Sequence, residues 1–294
     1  MADYVLTCGT TADLSLQQYQ ENDIHYISYN YEVDGQMHLD FDGTMDIQQF
    51  YQKIQEGSET KTAQINADRY EDFFEPFLKE GKDILHIEFS SGLTGGINSC
   101  NLAINNLLER YPDRQIYVVD SLSASGGYGL LMQKAAVMKK HGFEIDELRQ
   151  WVEENKQNVH HIFFSTDLSH YIKGGRISAT AGAIGQALGI CPLMDMDKEG
   201  HLIIIDKIRT KKKTINAAIE RMASNCNGKE DYKDECFINH AADLEDAIIL
   251  KERIEERFPN LKDKIVINYI GPTIGSHTGT GTVALFYWGD KRED

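Results

Sequence analysis

Short apolar runs rich in β-branched and aromatic residues recur along the first half of the chain. They lie at Tyr4–Leu6, Ile24–Tyr29, Ile84–Phe89, Ile116–Val119 and Ile162–Ser165, and each is too short for a helix. These runs predict strands. Between them apolar residues return at helical spacing over Ile47–Glu56, Ala67–Glu80, Gly96–Arg110, Gly127–His141 and Ile145–Lys156. Strand alternating with helix predicts a mostly parallel sheet with helices on both faces, extending to about residue 165.

Beyond Thr166 the pattern changes. A stretch rich in glycine and alanine, Ser178–Leu188, predicts a helix that leads to Pro192. Leu193–Ile208 then reads as a hairpin turning at Asp197-Lys198-Glu199-Gly200. A helix (Thr214–Ser224), a strand (Glu235–Asn239), a helix (Leu244–Arg257) and a strand (Ile265–Ile270) follow, and alternation in Thr282–Trp288 predicts a last strand. The reading is therefore two α/β domains, residues 1–165 with a mostly parallel sheet and residues 166–294 with a mixed one. A chain of 294 residues suits two cores of roughly 150 residues each. Neither a repeat nor a low-complexity linker separates the halves.

Hydrophobic content of 41% with 26% charged residues fits a folded globular protein. No apolar run approaches the ~20 residues needed to cross a bilayer. Met1–Val5 lacks a basic segment followed by an apolar one, so a cytoplasmic location is expected. The cysteines, at 8, 100, 191, 226 and 236, are scattered and form no CxxC pair. That pattern argues against a disulfide framework and a cysteine-rich zinc site, and predicts small buried hydrophobes. Forty-six acidic against 30 basic residues give a net charge of −16, which repels phosphate backbones and disfavours nucleic-acid binding. Lys207, Arg209, Lys211, Lys212 and Lys213 stand out against that background.

Ligands of parallel α/β folds bind at the carboxyl ends of strands, which directs attention to polar, glycine-rich loops. Ser90-Ser91-Gly92-Leu93-Thr94-Gly95-Gly96 places three hydroxyls and three glycines between a strand and a helix start, a receptor for an anion. It matches neither a P-loop nor a dinucleotide fingerprint nor a nucleophile elbow. Thr7–Leu14 after the first strand reads by itself as a turn with Thr11 or Asp13 capping the next helix, and Lys61-Thr62-Ala63-Gln64 as a cap before its helix. His277 sits among small residues in Gly275–Gly281, a loop in which an imidazole can donate to a carboxylate or phosphate. Lys173–Ser178 and Arg209–Lys213 each set an arginine near a hydroxyl and suit docking to something anionic, although a solvated surface is the default for adjacent lysines. Asp195–Asp206 imitates a calcium loop, but its flanks read as strands and Asp206 is too short for the bidentate position, so a hairpin turn explains it better. His160-His161 lacks partner ligands at a useful spacing, and no metal is expected.

Taken together these loops resemble the DegV family, which includes the fatty-acid-binding subunits of bacterial fatty-acid kinase. The resemblance rests on Thr10–Leu14, Lys61–Gln64, Ser90–Gly95, Val119-Asp120-Ser121, Ile172–Ser178, Asp197–Gly200, Arg209–Lys212 and His277-Thr278-Gly279, in the family's order and across nearly the whole chain. Gly9 stands where the family usually has Asp, Ala63 where Ser is common, Ile65 where Pro is common and Thr94 where Ser is typical. The resemblance implies an acyl tail in a tunnel between the domains and a carboxylate held by Thr62, Thr94, Gly95 and His277. Thr10, Thr11, Ser90, Ser91, Asp120 and Ser121 would form supporting loops, and Arg176 and Arg209 would dock a partner. It further implies a carrier without a cofactor of its own, whose fatty acid an ATP-dependent kinase converts to an acyl phosphate. Two other classes fit the same residues. One is a hydrolase or small-molecule kinase using Thr94 or Ser91 with His277 as base; the other is a lipid-sensing regulator with a different partner at the two arginines.

Overall fold

The computed structural model describes residues 3–178 and 190–292. β1 (Tyr4–Gly9), β2 (Ile24–Ile27), β6 (Asp83–Glu88) and β7 (Ile116–Asp120) form a parallel sheet in the order β2-β1-β6-β7. β1 and β6 are buried along their whole length, β6 with His86 and Glu88 sealed inside its buried run. α3 (Ala67–Lys79) and α4 (Gly96–Arg110) cover one face through Phe74, Leu78, Ala103 and Leu107 packed on Val5 and Ile84. α5 (Ser125–Lys140) lies between this sheet and the next; its Leu130, Leu131 and Ala135 belong to one apolar cluster with Leu85, Ile162 and Leu285. The short helix after the first loop, α1 (Leu16–Glu21), is capped by Ser15 and Gln18 in a reciprocal capping box, not by Thr11 or Asp13. Asp13 is instead left-handed (φ 50°) and buried.

The second sheet is mixed, in the order β10-β9-β8-β13-β11-β12. It contains β8 (Val159–Phe164), β9 (Ile190–Met196), β10 (Leu202–Arg209), β11 (Cys236–His240), β12 (Val266–Tyr269) and β13 (Val283–Trp288). β11 and β12 run parallel, and the other pairs are antiparallel. β8, expected from the sequence in the first sheet, lies inside the second, between β9 and β13. A fully buried run of six residues reads the same in either sheet, so periodicity does not assign it. The chain passes from one sheet to the other between β7 and β8. The imitation calcium loop is the tip of the β9–β10 hairpin, with Gly200 at φ +81°. The helix expected at Ser178–Leu188 lies, from residue 179 onward, outside the described residues.

A third, antiparallel sheet went unread in the sequence. β3 (Asn30–Val33), β4 (Gln36–Leu39) and β5 (Thr60–Ala63) pair in the order β4-β3-β5. Lys61–Gln64 is thus mostly an edge strand, and Asn66 caps α3. The sheet packs with α2 (Ile47–Gln55) in a cluster of Tyr31, Val33, Phe50, Tyr51 and Ile54 that takes in Ala241 and Ile270 from the second half. Inserted in one half and packed on the other, this unit fastens the two together. Asp34-Gly35, both left-handed between β3 and β4, is the turn that announces the hairpin.

The hairpin tip makes a second fastening. Ser90 Oγ donates to Gly200 O at 2.9 Å, and a Cβ on Gly92 would stand 2.6 Å from the Gly200 carbonyl carbon. The buried Arg292 donates to Asp197 O (3.1 Å) and Leu122 O (2.8 Å). All five cysteines are free and buried. Among the described residues no helix is long and apolar enough to cross a membrane.

Candidate ligand-binding site

A cavity of about 430 Å³ opens between the carboxyl ends of the first sheet and one face of the second. That volume falls within the ~300–1,000 Å³ usual for small-molecule sites. Phe163, Met196, Leu202, Ala284 and Phe286 of the second sheet line its wall, and Tyr29, Phe89 and Leu93 line the opposite side. Thr62, Ala63, Gln64, Thr94, Gly95, Arg176 and His277 also line it; of these Ala63, Gln64 and Gly95 are exposed and mark the mouth.

The structure brings Thr62, Thr94, Gly95 and His277 together from three separately folded pieces. Thr62 comes on β5, Thr94 and Gly95 on the loop before α4, and His277 on the helix Pro272–Thr278. The glycine-rich stretch read as a loop is therefore mostly helix. Pro272 occupies its first turn and Gly279, at φ +67°, ends it. Thr62 Oγ1 and His277 Nε2 are 2.7 Å apart. Burial, with the charge of Arg176 and the nearby His170 adding, pushes the His277 pKa down to about 4, so the ring is neutral at pH 7. Its Nδ1 is buried against Gly174 and has no partner. The tautomer that leaves no buried N–H unpaired carries its proton on Nε2 and donates to Thr62. The Thr62 hydroxyl is then free to donate to a ligand. Thr94 stands at the amino end of the fifteen-residue α4, where the helix dipole favours negative charge.

The supporting loops do other work. Ser90 holds the hairpin tip, Asp120 accepts from the Ser91 and Leu122 amides (3.2 and 3.0 Å), and Ser121 bonds within its own turn. Thr10 donates to Asp40 at 2.6 Å and accepts from the Tyr29 amide, joining the first loop to the small sheet. Thr11 Oγ1 is buried without a partner. None of these six lines the cavity. Arg176, read from the sequence as a docking residue, is half-buried and lines the cavity, while Arg209 is exposed at the end of β10. The departure at Gly9 has a steric reason: a Cβ there would lie 2.7 Å from the Tyr29 ring.

Sequence reasoning missed several groups. Asp40 is buried and receives Thr10 and, at 3.1 Å, the cavity-lining Thr273; burial raises its pKa to about 6. Tyr29 is anchored by a buried Glu88 that also accepts from Tyr70 (2.7 Å) and contacts His86 (2.8 Å). Only the small sheet and the register of β6 bring these side chains together, so no local motif marks them. Among the described residues two groups stand close enough to hold a metal, His86–Glu88–Cys100 and Asp197–Glu199–His201. The first is committed to the Glu88 network. In the second, Asp197 already accepts the His201 amide within the hairpin turn.

An apolar cavity between two sheets, with hydroxyl, amide and imidazole groups gathered at its mouth, has the geometry of a small-molecule site. Residues 6–290 match the model of the family described as uncharacterised proteins, DegV family. The chain is 40% identical over 294 residues, the whole of both proteins, to a DegV domain-containing protein of Clostridium perfringens. It is similar in structure to a DegV lipid-binding protein of Thermotoga maritima (27% identity, TM-score 0.85, covering 99% of this chain and 100% of the other). A second Thermotoga maritima protein, described as revealing fatty-acid binding, matches at 25% identity and a TM-score of 0.81 over 99% and 100% of the two chains. The chain belongs to the DegV family.

Proposed function

We propose that this protein buries the tail of a long-chain fatty acid in the cavity and holds its carboxylate at the mouth. A partner kinase would then convert the carboxylate to an acyl phosphate at the expense of ATP. The observation that carries the reading is the Thr62–His277 pair facing the same cavity as Thr94 and Gly95. A carboxylate leaving water needs several donors, each hydrogen bond to it contributing about 1.5–3 kcal/mol. The Thr62 and Thr94 hydroxyls and the start of α4 supply them. The apolar wall gains about 0.8 kcal/mol for each CH₂ it covers. Arg176, a cation at the same site, suits an added phosphate, and the exposed Arg209 remains available to a partner. The enzymatic alternative needs His277 as base to Thr94 or Ser91, but His277 is engaged by Thr62 and, in the tautomer argued above, donates to it.

The test is mass spectrometry of lipid extracted from the purified protein, followed by titration of the delipidated chain with oleate and palmitate. Binding of neither acid sinks the proposal. Acid binding without acyl-phosphate formation, when a fatty-acid kinase and ATP are added, removes the carrier role and leaves binding.

A further inference from the structure

A second cleft lies apart from the cavity, at the carboxyl ends of β11 and β12, the position where parallel strands present ligand-binding groups. Its volume is about 250 Å³, and it shares no lining residue with the cavity. α2 contributes Gln48, Gln52 and Gln55 from one face, and the strand ends contribute His240 and Tyr269. Ala242 and Leu244 form the rim at the start of the helix Leu244–Arg257. His240 is only 2% exposed. Its Nδ1 accepts the Asp243 amide at 3.2 Å, and burial lowers the ring's pKa from the ordinary 6.5, so the ring is neutral with its one proton on Nε2. Among the described residues nothing accepts that proton, yet the nitrogen is not sealed in the interior. Nε2–H therefore opens on the cleft as an unpaired donor. Gln52 donates its amide hydrogen to Glu56 at 2.8 Å and keeps its carbonyl free. The exposed Gln48 and Gln55 side chains and the Tyr269 hydroxyl engage no described group.

The lining contains no charged side chain. Asp243, Glu245 and Asp246 crowd the adjoining helix start, and Lys211 is engaged by Asp243 and Asp246 (2.7 and 2.5 Å), so the neighbourhood repels an anion. The Tyr269 ring already packs against His240 and Tyr51, with centroids 4.4 and 6.4 Å away, which uses the aromatic faces on which a flat base would stack. What remains is a neutral set of carboxamides, a phenol and an imidazole N–H. A hydroxyl group, which both donates and accepts, pairs with every member of that set. We propose that the cleft binds a neutral polyol of monosaccharide size, one hydroxyl oxygen accepting the His240 Nε2–H and others meeting the glutamine carboxamides. The apolar Ala242 and Leu244 cover its C–H face. The site is independent of the fatty-acid reading and stands or falls without it.

The experiment is a titration of the full, isotope-labelled protein, followed by NMR, with glucose, galactose, ribose and myo-inositol, alongside a glucose phosphate and adenosine. At least one neutral polyol is expected to give a saturable shift of the His240 Nε2 resonance with a Kd of about 1 mM or below. The glucose phosphate and adenosine should bind roughly tenfold more weakly than that polyol. Gln48→Ala/Gln55→Ala removes two exposed carboxamides from a helix surface, where alanine is the better helix former, so the fold is kept. That double variant should bind the polyol roughly tenfold or more weakly than the wild type. The proposal is overturned by the absence of a saturable shift with all four polyols, or by unchanged affinity in the double variant. Binding of the glucose phosphate or adenosine at least as tight as that of every polyol overturns it too.

Discussion

Replacing Thr62 by valine keeps the β-branched shape on β5 and removes one oxygen. That oxygen is 2.7 Å from His277 Nε2 and, by the tautomer argued above, accepts from the ring while offering its own proton to the ligand. Two losses follow. The imidazole is left with an unpaired N–H beside its unpaired Nδ1, and the carboxylate loses a donor. A hydrogen bond to a charged group is worth about 1.5–3 kcal/mol, so oleate or palmitate should bind roughly 10- to 100-fold more weakly. His277→Ala should cost a similar amount, because without the ring the Thr62 hydroxyl loses the partner that orients it. If the two act as a unit, the double variant should be little worse than either single one, with a coupling energy of about 1.5 kcal/mol. Independent sites add to within about 0.3–0.5 kcal/mol. The assay is calorimetric or fluorescence titration of the four delipidated proteins. Strict additivity would refute the relay from His277 through Thr62, and wild-type affinity in both single variants would place the carboxylate elsewhere.

Thr94→Val should weaken lipid binding about tenfold through the lost hydroxyl at the start of α4, and Thr94→Ser should be nearly neutral in the same titration. Arg209→Glu should leave lipid affinity unchanged and weaken association with a fatty-acid kinase in a pull-down or binding assay, since a rim charge acts on partners more than on a buried ligand. Gly92→Ala should destabilise the fold by about 1–3 kcal/mol in a denaturant melt, because its Cβ would meet the Gly200 carbonyl at 2.6 Å and push the hairpin tip away. His277→Gln should flatten the acid limb of the stability profile. The folded ring holds its pKa near 4 against an ordinary 6.5, so the unfolded chain binds the extra proton between those values. The wild type therefore loses stability as pH falls through that window and the variant loses less, which denaturant melts at stepped pH would measure.

Elements whose signal is local were legible in the sequence. Buried parallel strands such as Tyr4–Gly9, and amphipathic helices such as Ala67–Lys79, announce themselves by run length and period. The β3–β5 sheet did not, because four-residue strands carry too few turns of the alternation and half their positions face water. The strand at Val159–Phe164 was found but set in the wrong sheet, since partner choice is a long-range fact. At the site, the hydroxyls and His277 were visible as loop chemistry. The acids that anchor other lining residues were not: Asp40 and Glu88 are ordinary acids until the fold seals them against Thr273 and Tyr29. Ser90, Asp120 and Ser121 were read as supporting loops, but what they support, a hairpin tip and their own turns, is a long-range contact that a polar loop does not announce.

The donors at the cavity mouth come from three pieces of chain that share no sheet: the edge of the inserted sheet, the loop before α4 and the helix Pro272–Thr278. No piece holds a binding site by itself. Under the proposed function, a ligand spanning them would be a cross-link as well as a cargo, and would add RT ln(1 + [L]/Kd) to the cohesion of the whole molecule, about 4 kcal/mol at a thousandfold excess over Kd. Emptying the cavity removes that contribution at once. Loaded and empty forms of one chain would thus differ in resistance to heat and proteolysis, and a cell's degradation machinery would distinguish them without any dedicated sensor.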